Sequence, residues 1–86
     1  MLSETETLFD YSEGMRLEKE GDFAAAAEAY WKCWANFQSA DLVQDTDLQR
    51  ETADDARDDA IRIAQAHFSE VERRRFEEEK GFNDYV

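Results

Sequence analysis

Proline is absent, glycine occurs only at Gly14, Gly21 and Gly81, and there is one cysteine and one histidine. With no proline and so few glycines, little in the chain forces the backbone out of a helix. Val43, Ile61, Ile63, Val71 and Val86 are too scattered to build strands, which excludes a sheet. The lone Cys33 can close no intramolecular disulfide and has no second thiol for a zinc or redox pair. Packing must therefore supply the stability, and a reducing, cytoplasmic setting is the expectation. No stretch approaches the roughly 20 apolar residues of a membrane span, and the start MLSETETLFD has neither the basic nor the apolar region of a signal peptide.

Basic residues are scarce as well. Ten Lys and Arg stand against 22 Asp and Glu, leaving a net charge of −12. Such a chain repels phosphate backbones and anionic membrane surfaces, so direct nucleic-acid binding and membrane binding are excluded. What is present is enough for a core: 42% of the residues are apolar and 13% aromatic. Eighty-six residues make one domain, because a second core would need more chain than remains after the first.

The spacing predicts three helices, over residues 3–20, 22–38 and 47–80, with a tail at 81–86. The first opens at Ser3, where Ser3 and Glu6 form the S-x-x-E capping box, and its apolar side is Leu8, Tyr11, Met15 and Leu17. Gly14 leaves room for close approach by another helix. Gly21 can turn left-handed to end this helix, and Asp22 is placed to cap the next. The second helix sets Phe23, Ala26, Ala27, Tyr30, Cys33, Trp34 and Phe37 at steps of three and four, and is apolar almost all round, so it must be sandwiched between the others. A polar connection from Ser39 to Asp47 carries Leu42 and Val43 as pins and Thr46 with Gln49 as a second capping box. The third helix is expected to run unbroken to Lys80, before Gly81. Its buried stripe would be Ala53, Ala56, Ala60, Ile63, Ala64, His67 and Val71, widened by Ile61 and Phe68.

The hairpin from Gly14 to Cys33 resembles a tetratricopeptide repeat: Gly14, Leu17 three later, the turn Gly21-Asp22-Phe23, then Ala26, Tyr30 and Cys33. The resemblance covers about the first 40 residues and implies a helix pair that binds peptides or protein surfaces. Asp10 and Glu13 depart from it at positions that are usually apolar, and no second copy follows 34 residues on. A hairpin with one long helix is also similar to the three-helix microtubule-interacting and trafficking domain. Neither likeness carries an active site.

The parts of an enzyme are missing. His67 falls on the expected buried stripe, as a hydrogen-bonded structural imidazole, and Cys33 lies on the most apolar helix, where burial raises a thiol pKa. Asp45-Thr46-Asp47 lacks the glycine and distal glutamate of a calcium loop, and no Glu-x-x-His pair or phosphate-cradling glycine loop occurs. The expectation is no catalysis, no metal and no cofactor.

Charge is the informative feature. Residues 1–28 and 41–59 each hold eight acids against two bases. Within the second block, Glu51, Asp54, Asp55, Asp58 and Asp59 all point away from the apolar stripe, a carboxylate ridge of about 12 Å at 1.5 Å per residue. Two readings are open. Acidic surfaces keep small proteins soluble, and Asp near a helix start complements the helix dipole. Alternatively, the ridge docks on a basic groove, either of a protein partner or in place of a nucleic acid. In size and charge the chain resembles the small acidic inhibitors of mobile elements, anti-CRISPR proteins among them, which act as DNA mimics.

A second candidate surface is aromatic. Trp31 and Trp34, three apart, cannot both be central in so small a core, so one edge is expected to remain exposed as an anchor for a partner or for a homodimer. The end Asp84-Tyr85-Val86 has the acidic-x-apolar form of a strand-adding ligand for a PDZ domain. The overall expectation is an all-α three-helix bundle that binds another protein through a basic or mixed partner surface. The alternative is a nucleic-acid-mimicking inhibitor.

Overall fold

The computed structural model describes residues 4–39 and 47–80. They form four helices, α1 (Glu4–Lys19), α2 (Phe23–Ser39), α3 (Asp47–His67) and α4 (Glu70–Lys80), in an all-α bundle. Ser3, Thr46, Leu42, Val43, Gly81 and the carboxyl-terminal Asp84-Tyr85-Val86 lie outside the described residues. Among the described residues, no helix is long and apolar enough to cross a membrane.

The α1–α2 turn is built by Gly21. Its φ is +84°, and the N–H groups of Gly21 and Asp22 close back on the carbonyls of Glu18 and Leu17, each at 3.0 Å. This pairing satisfies carbonyls that the helix end would otherwise leave open, and the left-handed residue it requires is glycine for steric reasons. Asp22 then caps α2, accepting from the Ala25 N–H at 3.3 Å. The predicted hairpin is present.

α2 supplies the centre. Ala26, Ala27, Tyr30 and Cys33 are buried, and α3 meets them with Ala53, Ala56, Ala60, Ile63 and Ala64. Alanine on both helices lets the backbones approach closely, and Tyr30 and Ile63 fill what remains. On the other side, Gly14 of α1 lies under the Tyr30 ring. A Cβ there would stand 2.5 Å from Tyr30 Cδ1, so no larger residue fits without displacing the tyrosine.

α1 keeps half of the predicted face: Tyr11 and Leu17 pack against the core, but Leu8 and Met15 do not. Leu8 is 41% exposed and Met15 50%, whereas Thr7 and Gly14 are buried, with Tyr11 and Glu18 in line with them at helical spacing. The reason is steric and polar together. Gly14 permits the closest approach, and turning that side inward brings Tyr11 and Glu18 to partners on α2 and α3.

The third helix is not continuous. α3 ends at His67, with Phe68 and Ser69 outside helix, and α4 begins at Glu70. The Ser69 hydroxyl accepts from the Glu72 N–H at 3.2 Å, while the Glu72 carboxylate accepts from the Ser69 N–H at 3.3 Å. This reciprocal capping box restarts the helix in a new direction. The bend turns Phe76 into the core, edge-on to Phe68 with ring centroids 5.5 Å apart, and carries Lys80 back to α2, where it pairs with Glu28 at 2.9 Å. It also turns Val71 outward to 67% exposure, against the stripe that placed it inside. His67 is exposed too, stacked flat on Phe23 with centroids 3.6 Å apart. Its angle round the axis matches the buried face, but it stands beside the first residue of α2, where the neighbouring helix runs out.

Candidate functional site

The acidic ridge survives in reduced form. Glu51, Asp54, Asp55 and Asp58 lie exposed along the outer side of α3, a row of about 10 Å. Among the described residues Glu51, Asp54 and Asp55 have no ion-pair partner, and Asp58 meets Arg57 at 3.3 Å while staying largely in solvent. Asp59 does not belong to the row. It is half-buried, accepting from the Tyr11 hydroxyl at 2.8 Å and from Arg62 Nε at 3.3 Å. Its carboxylate is committed to joining α1 and α3.

Asp59 is one end of a clasp. Arg62 donates through both terminal nitrogens to the Glu18 carboxylate, at 3.0 Å each, and Glu18 also accepts from the Tyr30 hydroxyl at 3.0 Å. The Tyr11 and Tyr30 rings lie 5.4 Å apart at 51°. The Arg62 hydrogen bond holds Glu18 below the usual carboxylate range, and the same pairing raises Arg62. Burial, then the Asp59 hydrogen bond, pushes Tyr11 up to about 12, and burial with Glu18 raises Tyr30 further. Both phenols therefore stay protonated as hydrogen-bond donors. The pattern that announces the clasp in the sequence is Tyr11 and Glu18 seven apart on α1, matched by Asp59 and Arg62 three apart on α3.

That clasp fixes what borders the ridge. Tyr11 of α1 lies opposite Asp59 and Glu18 opposite Arg62, so α1 and α3 run parallel. Leu8 and Met15 stand three before and four after Tyr11, on the α1 edge next to α3. Asp55, one turn before Asp59, is close enough to act electrostatically on Tyr11. Exposed Leu8 thus stands level with the carboxylate row at its α1 margin, a feature the apolar-stripe reading of α1 concealed, whereas Met15, about 6 Å past Tyr11, stands beyond the row's end at Asp58.

The aromatic patch is not an open surface. Trp34 is 5% exposed and offers a partner no open ring. Trp31 is half-buried under α4, with Lys80 Nζ 4.5 Å from the ring centroid. Its indole N–H is buried and has no acceptor among the described residues.

Cys33 is buried, its thiol donating to the Thr7 carbonyl at 3.5 Å, and burial followed by Asp10 pushes its pKa up to about 12. His67 is occupied in ring stacking. No protein-family model, curated protein or solved structure matches the chain.

Proposed function

We propose that this protein is a non-catalytic binding module that docks the outer side of α3 on a basic partner surface. The observation that carries the reading is the row Glu51, Asp54, Asp55 and Asp58, exposed on a helix with exposed Leu8 of α1 level with it. Fixed carboxylates speed encounter with a cationic surface and set its register, while desolvating apolar side chains supplies affinity. The likeness of the Gly14–Cys33 hairpin to a tetratricopeptide repeat supports a protein-binding role. Trp31 and Trp34 drop out as anchors, and Leu8 takes their place.

The test is a paired substitution followed by crosslinking and mass-spectrometric identification of captured proteins. Asp54→Lys, Asp55→Lys and Asp58→Lys together should abolish capture and remove its salt dependence, with helical content unchanged by circular dichroism. Arg74→Glu with Glu78→Lys, on the outer side of α4, should leave capture as it was. Equal capture by the wild-type chain and the triple variant would end the reading.

The same row also supports nucleic-acid mimicry, since duplex DNA presents one phosphate charge per roughly 1.7 Å of axis. The two readings part at the apolar margin. Leu8→Ser should weaken an adaptor and leave an electrostatic mimic unaffected. Withdrawal of Asp59 into the clasp shortens the row and favours the adaptor.

A further inference from the structure

α4 is held on the bundle by little. Among its described residues only Phe76 is buried, and its remaining attachments to α2 are the Lys80–Glu28 pair and the Lys80 ammonium over Trp31. Phe68 and Ser69, the two residues outside helix, are all that separates it from α3, and residues 47–80 contain neither proline nor glycine. The apolar face of α3 also continues through the break in register. Val71 follows Ile63, Ala64 and His67 by eight, seven and four residues, so a straight helix would set it on the same face, whereas the bend leaves it 67% exposed.

We propose that the chain pairs with a second copy of itself by exchanging α4. In that form α3 and α4 fuse into one helix over residues 47–80, and each copy seats its Phe76 and Lys80 against Phe68, Glu28 and Trp31 of the other. The contacts that hold α4 in one chain transfer unchanged to two, which is why exchange of a terminal element across a short connection is an inexpensive route to a dimer. Fusion restores the helical backbone hydrogen bonds of the Ser69 and Glu72 N–H groups, which the bend diverts to side chains, and returns Val71 to the apolar face of α3, where the second copy's helix crosses. The Ser69–Glu72 capping box opposes it, because the box exists only while the helix is broken. This inference is independent of the acidic row.

Complementary charge reversal tests it in the full-length chain. Glu28→Lys in one preparation and Lys80→Glu in another each put like charges together in the monomer and in any homodimer. An exchanged heterodimer restores an opposite-charge pair at both seats. After mixing in equal amounts, native mass spectrometry should find the heterodimer well above the roughly twofold excess over either homodimer that random pairing gives. A mixture that stays monomeric, or that pairs in statistical proportions, overturns the proposal. Ser69→Ala with Glu72→Ala, which removes the box without touching the seat, should raise the dimer association constant on the order of tenfold by light scattering. An unchanged constant, or a dimer that persists after Phe76→Ala, also counts against exchange.

Discussion

α3 touches its two neighbours by opposite chemistry. Against α2 it presents alanines and Ile63, packed with the backbones close; against α1 it presents Asp59 and Arg62, which reach Tyr11 and Glu18 through hydrogen bonds. The first contact follows from shape and apolar area. The second depends on protonation state and on groups still partly in water, where an ion pair is worth about 1 kcal/mol or less. The difference teaches that one helix can be held strongly on one side and adjustably on the other.

The largest effect should fall on the apolar side. Ile63→Ala, at a fully buried position, should cost about 2–5 kcal/mol, measured by urea unfolding, because the cavity cannot collapse between two alanine-lined helices. A loss below about 1 kcal/mol would mean that the α2–α3 contact is not the principal support. Gly14→Ala comes next at about 1–3 kcal/mol, since its new methyl group would collide with the Tyr30 ring.

Gly21→Val tests the turn alone. No atom lies within 4 Å of the added Cβ, so the cost is backbone strain at positive φ, about 1–2 kcal/mol. Gly21→Asn should recover much of it, and an equal loss in the two variants would point to some cause other than the left-handed turn.

The polar side should show itself in pH dependence. Tyr11→Phe should cost about 1 kcal/mol at neutral pH by removing the hydrogen bond to Asp59. Tyr11 keeps its proton longer in the folded chain than in the unfolded one. Its contribution is therefore complete below the ordinary tyrosine pKa of 10.0 and is lost as pH rises through about 12. Glu18 has the opposite sign: held low by Arg62, it stabilises the fold above the usual carboxylate range and loses that contribution as pH falls through its depressed pKa. Melting temperature against pH should thus flatten on the alkaline limb in Tyr11→Phe and on the acid limb in Glu18→Gln. Curves parallel to wild type would show the clasp to be inert.

Legibility followed the same division. The α2 face, the alanine stripe of α3 and the Gly21 turn were readable because each is a local pattern with one geometric solution. The faces of Leu8 and Met15 were misread because apolar count pointed one way while Gly14, Tyr11 and Glu18 set the packing. The break at Ser69 had its signal in plain view, the same S-x-x-E pattern invoked at Ser3, but inside an uninterrupted helical periodicity. Of the acidic row, four carboxylates stayed outward as expected, and Asp59 was lost to a tyrosine 48 residues away.

By itself the sequence determined an all-α chain with an apolar second helix and an acidic exterior, because helix propensity, three-to-four spacing and charge act over a turn or two of backbone. Tertiary structure decided which face α1 turns inward, where the last helix bends, and which carboxylates remain available. Those outcomes depend on how far along its neighbour each side chain stands, and periodicity specifies an angle round a helix without specifying that height.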